Sequence, residues 1–300
     1  MEKIIVTGGA GFIGSHLVDA LVEHGFAVHV IDNLVGGQKE RVNTNAILHE
    51  VDIRDLATLA PIFAGASYVF HLAALPRVQY SIQYPVETNE TNVTGTLNVL
   101  LAAKEAGVKK VIYSASSSAY GDQPVMPLVE TMPANPKSPY GLQKYIGEMY
   151  CQVFNTVYSL PTVCLRYFNV YGERYNGEGA YALVIGKFLE QRKTGEPLTI
   201  TGDGTQSRDF THVRDVVRAN LLAMTTDAAT GGEVFNIGAG HNVSVNTIAD
   251  LVGGERIYIE ARLEPKDTRA DNTKARLILG WVPQVKIEDG IAELKAQAGL

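Results

Sequence analysis

A glycine-rich turn, Thr7-Gly8-Gly9-Ala10-Gly11-Phe12-Ile13-Gly14, joins the first apolar run of this chain to its first amphipathic segment. At a strand-to-helix junction the small residues Gly8 and Gly11 let the backbone approach a pyrophosphate. The free N–H groups at the helix start then bind it, while Gly14 lets the helix pack on the strand. The competing reading is a tight turn without a ligand. Asp32, at the end of the second apolar run, argues for the ligand. A carboxylate there accepts both ribose hydroxyls of an adenosine and repels a 2′-phosphate, which selects NAD over NADP. Asp32-Asn33 also suits a strand-end turn. Asp52-Ile53, after the third run, is placed either to touch adenine or to cap the following helix.

Apolar, β-branched runs recur at Lys3–Thr7, Ala27–Ile31, Ile47–Val51, Tyr68–His71, Lys110–Ser114 and Thr162–Arg166. They read as strands buried on both faces. Helix-like stretches alternate with them at Phe12–His24, Leu56–Phe63, Thr91–Ala106 and Ser138–Tyr158, the last with Pro139 near its start. Such alternation predicts an α/β fold, a doubly wound (Rossmann) parallel sheet with helices on both faces. Beyond it, glycine and aspartate turns such as Gly202-Asp203-Gly204 and Gly238-Ala239-Gly240 separate shorter elements. The expected division is an NAD-binding domain over residues 1–168, with 205–230 returning to it. A smaller mixed α/β substrate lobe would then comprise 169–204 and 231–300.

Twenty-six basic against thirty-two acidic side chains leave a net charge of −6, which disfavours a nucleic-acid partner held by bulk charge. No apolar run is long enough for a membrane span or a signal-peptide core, so no membrane partner is expected. Cys151 and Cys164 make no CxxC spacing, and a reduced, cytoplasmic chain is the simplest reading. His71 and His212 have no partners at metal-ligand spacing; they read as strand-end and helix-start residues, and no metal is expected.

Tyr140 and Lys144, four residues apart in a helical stretch, project from one face. Ser114-Ala115-Ser116-Ser117-Ser118 ends the fifth run, at the end of the sheet where ligands sit in open α/β folds. Serine and tyrosine can therefore converge on one substrate atom. An ammonium ~4 Å from a phenol at an effective dielectric of ~20 is worth about 4 kcal/mol, enough to bring a tyrosine from ~10 towards 7. On this argument Tyr140 is expected to serve as a base near neutral pH, with the positive nicotinamide acting in the same direction. The alternatives are a core tyrosine and a solvated lysine.

Taken in order, Gly8/Gly11/Gly14, Asp32, His71-Leu72-Ala73-Ala74, Ser116, Tyr140/Lys144, Arg166-Tyr167-Phe168-Asn169-Val170-Tyr171-Gly172, Gly202-Asp203-Gly204 and Arg208-Asp209-Phe210 resemble the extended short-chain dehydrogenase/reductases. Within them the chain looks most like the UDP-glucose 4-epimerases, and the likeness covers almost the whole chain. It implies Ser116, Tyr140 and Lys144 as catalytic residues. It implies a cofactor envelope of Gly8, Gly11, Phe12, Ile13, Gly14, Asp32, Asn33, Asp52, Ile53, Leu72, Ala73, Ala74, Asn92, Tyr140, Lys144 and Phe168. Ser116, Ser117, Tyr140, Asn169, Arg208 and Asp267 would bind a UDP-sugar. Arginine suits the phosphates by its forked, permanent charge, although Arg208 also has Asp203 and Asp209 as candidate ion-pair partners.

The implied reaction is NAD-dependent 4-epimerisation of a UDP-hexose, glucose or galactose, through a 4-keto intermediate. UDP-N-acetylglucosamine and UDP-glucuronate are the alternative substrates, and a non-catalytic NAD-binding sensor is the alternative class. Sugar-nucleotide 4,6-dehydratases carry Thr-Asp-Glu at the position of Ser116-Ser117-Ser118, and UDP-glucuronate decarboxylases tend to carry glutamate at Ser118. Serines there disfavour both reactions. Two departures fall in the segment from Arg262 to Asp271. Glu264 stands where the family has a phosphate-binding arginine, so Arg262, Lys266 or Arg269 would have to substitute. The stretch from Asp267 to Asp271 is also short. The resemblance further implies a homodimer built on the helices Thr91–Ala106 and Ser138–Tyr158.

Overall fold

The computed structural model describes residues 1–175, 184–260 and 266–300. In chain order the first elements are β1 (Lys3–Thr7), α1 (Phe12–Glu23), β2 (Ala27–Asp32), β3 (Ile47–Glu50), α2 (Leu56–Phe63) and β4 (Ala66–His71). Then come the short helices α3 (Val78–Gln83) and α4 (Pro85–Asn89), a π-helical turn (Glu90–Thr94) running into α5 (Gly95–Ala106), β5 (Lys110–Ser116), α6 (Pro139–Tyr158) and β6 (Thr162–Tyr167). The remainder is β7 (Val170–Tyr171), α7 (Val184–Thr194), β8 (Leu198–Thr201), β9 (Ser207–Arg208), β10 (Thr211–His212), α8 (Val213–Thr225), β11 (Gly231–Ile237), β12 (Val243–Ser244), α9 (Val245–Val252), β13 (Arg256–Ile259) and α10 (Ile287–Ala298).

Seven strands form one parallel sheet in the order β11-β6-β5-β4-β1-β2-β3. This is the doubly wound Rossmann arrangement. The order reverses between β1 and β4, opening a crevice at the carboxyl ends of those strands. One face buries Ile4, Val6, Val30, Phe70, Ile112 and Leu165 against α1 and α8. The other buries Ile5, Ile31, Val69, Val111 and Cys164 against α2, α5 and α6. Central strands are apolar on both faces because helices cover both. The edge strand β3 departs from that expectation: none of its four residues is fully buried, as it closes one side of the sheet.

Three of the expected limits shift. The expected smaller lobe, 231–300, begins only after β11. Gly231–Ile237 pairs in parallel with β6 as the last strand of the large sheet, where Val234, Phe235 and Ile237 are buried. Residues of the π turn precede α5 in what reads by periodicity as one helix from Thr91. Asp55, not Asp52, caps α2, accepting hydrogen bonds from the amides of Ala57 and Thr58. A separate core in the smaller lobe packs Phe188, Leu198, Ile200, Ile248, Ala249 and Ile291 between α7, α9, α10 and the β8–β13 pair.

A buried ion pair fastens α6 to the sheet. Glu148 accepts two hydrogen bonds from Arg166 on β6, at 2.8 and 2.6 Å, and both side chains are nearly inaccessible at 0 and 4 %. The guanidinium also lies 4.4 Å from the centre of the Tyr120 ring. Replacing Glu148 by Gln leaves the Arg166 charge buried without its partner, at an expected cost of roughly 3–5 kcal/mol. Denaturant unfolding of Glu148→Gln, beside the double replacement Glu148→Leu with Arg166→Met, checks this. The double variant should be the more stable of the two.

Candidate functional site

Backbone contact at the sheet's switch point forms the cofactor side. Gly8 has a left-handed backbone with φ of 74°, and a Cβ there would lie 2.6 Å from the Ala73 amide nitrogen. At Gly14 a Cβ would lie 2.1 Å from the Gly8 carbonyl oxygen. Small residues are thus required on both sides of the turn. Gly11 is the N-cap of α1, contributes no side-chain cap, and no acidic residue follows in the first turn. The amides of Phe12 and Ile13 open that helix without a capping side chain. Such a helix start fits a pyrophosphate.

Asp32 is buried and accepts hydrogen bonds from the amides of Ala10 at 3.0 Å and Leu34 at 2.9 Å. Burial raises its carboxyl above the ordinary range, against those two bonds. Two bonds still leave lone pairs for ribose hydroxyls. Asn33 donates to Asp52 at 3.0 Å, which brings these two expected residues together, and Arg54 pairs with Asp52 at 2.7 Å. That arginine holds the Asp52 carboxyl down at about 2. Ile53 is buried against Gly95.

Behind the glycine turn runs a closed hydrogen-bond chain. The Ala73 amide donates to Thr7 Oγ1 at 3.2 Å, and Thr7 Oγ1 lies 2.7 Å from His71 Nδ1. His71 Nε2 is 2.9 Å from Thr96 Oγ1, which donates to the Asn92 carbonyl at 2.7 Å. The order of donors assigns His71 as neutral with its proton on Nε2. Burial, reinforced by the Lys144 ammonium, drives it from 6.5 down to about 3. His71 is therefore a fixed linker at the strand end, and His212 likewise accepts from the Arg214 amide as the cap of α8.

Leu72, Ala73 and Ala74 line the turn after β4, with the Leu72 amide on the Thr7 carbonyl. Asn92 makes three hydrogen bonds within the protein. Its oxygen accepts from the Leu75 amide at 2.8 Å, and its nitrogen donates to the Leu75 carbonyl at 3.1 Å and to Gln143 at 2.8 Å. Both of its N–H groups are spent within the protein. The Phe168 side chain is fully buried beside Tyr120, Leu128 and Ala270.

Of the three expected catalytic residues, Ser116 hydrogen-bonds the Tyr140 phenol, and Lys144 is held at the end of the same strand. Ser116 ends β5, its hydroxyl donating to Ser118 Oγ at 3.1 Å and accepting from the Ser118 amide. Ser117 follows, half-buried. Tyr140 is 9 % exposed in the first turn of α6, where Ser138 caps the Gly141 amide and Ser81 of α3 accepts the Tyr140 amide at 3.1 Å. Lys144 Nζ donates to the Ser114 carbonyl at 2.8 Å and sits 5.0 Å from the centre of the Tyr113 ring.

The electrostatics correct one expectation. Burial raises the Tyr140 phenol above its ordinary range, and only its hydrogen bond with Ser116 pulls it down. Lys144 gives its charge to the Ser114 carbonyl and the Tyr113 face instead, so the chain alone does not bring the phenol towards neutrality. Burial lowers Lys144 itself to about 8, with Glu148 and Cys151 opposing. It keeps most of its charge at neutral pH.

On the substrate side, Asn169 has a left-handed backbone with φ of 28° and donates to the Asp209 carbonyl at 3.1 Å. Arg208 donates to the carbonyls of Ser207 at 2.9 Å and Lys266 at 3.1 Å. Ser207 donates to Asp267, which brings Arg208, Lys266 and Asp267 to one edge. Arg269 lies apart, lining a small cavity with Gly240, Asn272 and Arg276. Arg262 and Glu264 fall outside the described residues. Asp209, which the sequence offered only as an ion-pair candidate, organises this lobe: it accepts the amides of Ala239, Gly240 and Ala270 at 2.7, 3.0 and 2.9 Å.

Residues 4–238 match the model of the NAD dependent epimerase/dehydratase family. A putative UDP-glucose 4-epimerase of Methanocaldococcus jannaschii is 40% identical over 297 residues, covering 96% of this chain and 95% of that protein. The crystal structure of a Thermotoga maritima UDP-glucose 4-epimerase with UDP-glucose is 42% identical, with a TM-score of 0.93 over 99% of this chain and 97% of that one. A UDP-N-acetylglucosamine 4-epimerase from Methanobrevibacter ruminantium, in complex with UDP-N-acetylmuramic acid, is 36% identical, with a TM-score of 0.92 and 99% of each chain covered.

Two outcomes are expected of this geometry. Gly14→Ala forces a methyl group onto the Gly8 carbonyl and should lower NAD affinity more than tenfold, read by calorimetric titration. His71 refuses a proton between pH ~6.5 and ~3 that the unfolded chain accepts, so stability falls as pH drops through that window, by about 1.4 kcal/mol per unit. Urea unfolding at pH 7 and 4.5 should show a flatter dependence in His71→Asn than in the parent.

Proposed function

The chain belongs to the NAD dependent epimerase/dehydratase family, and on that premise we propose that it is an isomerase interconverting UDP-glucose and UDP-galactose at C4′. The observation that carries the reading is that Ser116 at the end of β5 hydrogen-bonds the Tyr140 phenol while Lys144, one turn along α6, is held on the Ser114 carbonyl of the same strand. Full-length likeness to UDP-glucose 4-epimerases supports it. The same triple makes a non-catalytic NAD sensor the weaker account, because a sensor needs no such set.

Gly8, Gly11, Phe12, Ile13 and Gly14 would hold the NAD pyrophosphate on the α1 amides, Asp32 the adenosine ribose, and Lys144 the nicotinamide ribose. Bound NAD supplies the hydride acceptor, then donor, for C4′, together with a positive ring. Tyr140 takes the proton of the 4′-hydroxyl and later returns it, while Ser116 hydrogen-bonds the same oxygen. Burial holds the phenol high in the chain alone, and a positive ring beside it would lower it. Asn169 and Arg208 would hold the pyrophosphate about which the 4-keto sugar turns, so that its other face would be presented.

The likeness to a UDP-N-acetylglucosamine 4-epimerase favours a second reading with a larger sugar. Incubation with UDP-galactose, UDP-N-acetylgalactosamine and UDP-galacturonate, followed by chromatography, separates the substrates. Conversion of the first should dominate. Tyr140→Phe should reduce turnover by about 10²–10⁴-fold, the range for a general base; an unimpaired variant overturns the mechanism.

The outer face of α6 supports a homodimer. Leu142, Val153 and Val157 are 47, 49 and 62 % exposed, with Ile146 and Met149 half-buried on the same stripe. Leu97 and Leu101 continue it on the adjacent α5. A second copy covering this face would remove an apolar patch from water. Among the described residues no helix is long and apolar enough to cross a membrane. A cytoplasmic place in galactose metabolism, with Cys151 and Cys164 reduced and buried, completes the reading. Val153→Asp with Val157→Asp should convert a dimer to a monomer in sedimentation experiments.

A further inference from the structure

Gln143 lies between the two catalytic residues of α6, and its side chain is 3 % exposed. Its oxygen accepts from Asn92 at 2.8 Å, and its nitrogen donates to Thr88 Oγ1 at 3.0 Å. Thr88 in turn bonds the carbonyls of Tyr84 and Pro85. Asn92 belongs to the π-helical turn and clasps both backbone groups of Leu75, in the segment that follows Leu72-Ala73-Ala74. We propose that Gln143 is a positioning residue that, through Asn92, fixes the distance between the catalytic helix and the Leu72–Leu75 wall of the dinucleotide site.

The link is direct and short. Each amide uses both ends, so neither can rotate without losing a bond. Buried amides that lose partners are costly, which holds the pair in one arrangement. The π turn contributes as well: its widened backbone carries Asn92 between the Leu75 segment and α6, a use of π-bulges found at functional sites. Gln143 points away from the chemistry yet ties Tyr140 and Lys144 to the backbone that meets Gly8. This inference rests on the NAD-binding reading of the site, and not on the identity of the sugar.

A double-replacement cycle tests it, with Gln143→Met, Asn92→Ala and the combination. Three quantities are read: hydrogen exchange of the Leu75 amide in the free protein, NAD affinity by calorimetry, and kcat with UDP-galactose. Gln143→Met should speed Leu75 exchange at least tenfold, weaken NAD at least fivefold and lower kcat at least tenfold. In the Asn92→Ala background it should add less than twofold to each. Unchanged Leu75 exchange and NAD affinity in Gln143→Met overturn the proposal, as do effects that multiply in the double variant. A fall in melting temperature alone, with all three unchanged, assigns a purely structural role and also overturns it. Absence of NAD binding or turnover in the parent chain refutes the functional reading instead, and leaves the exchange cycle to judge the link.

Discussion

Close backbone approach at the switch point governs the rest of the site. The carboxyl ends of β1 and β4 come so near that Gly8 has no room for a side-chain carbon beside Ala73, and Gly14 none beside the Gly8 carbonyl. Apolar packing on both faces of the sheet sets the strand positions, but it does not set the turns that leave the sheet. Those turns are held by polar groups: Thr7, His71 and Thr96 join β1, β4 and α5 at the level where a pyrophosphate would lie. A buried histidine kept neutral by its surroundings suits this better than a charged one, because it donates and accepts at opposite ends without bringing a charge to the cofactor.

The candidate catalytic residues Tyr140 and Lys144 sit on α6, and its placement shows how the fold divides electrostatic labour. Lys144 spends its charge on a strand-end carbonyl and an aromatic face, while Glu148 one turn further is neutralised by Arg166. The cation is thereby fixed in position and retained at neutral pH, but the Tyr140 phenol is left to burial. A tyrosine that stays protonated in the free chain avoids storing an anion in a low-dielectric pocket. Its role as a base then becomes conditional on the charge of the dinucleotide.

Six strands and four helical stretches were legible because β-branched apolar runs and amphipathic periods are local properties. Residues such as Ile4, Val30 and Val111 announce a strand covered on both faces. Gly231-Gly232-Glu233 opens β11 like a turn, so its sheet partner β6 could be recognised only in three dimensions. The placement of the glycine turn between β1 and α1, of Asp32 and Ser116 at strand ends and of Tyr140 and Lys144 on one helix was legible through type and spacing. The protein contacts of Asn92, Gln143 and Asp209 were not legible, since they depend on which distant groups face each side chain: the Leu75 amide for Asn92, Thr88 for Gln143, and the Ala239, Gly240 and Ala270 amides for Asp209. The height of the Tyr140 phenol was misjudged for the same reason, as helical spacing says nothing about which carbonyl captures the neighbouring ammonium.

The return of β11 to the large sheet has a mechanical consequence. The chain leaves the sheet after Phe168, comes back with α8, leaves again after Ile237, and buries Ala275, Leu279 and Trp281 against the first core before ending in α10. The two walls of the cleft are therefore stitched together at several junctions rather than joined by a single flexible strap. Hinge bending of one wall against the other would have to break packed junctions at once. On the proposed reading, a sugar nucleotide would exchange through local rearrangement of loops, and a dinucleotide held on the glycine turn would remain through many exchanges.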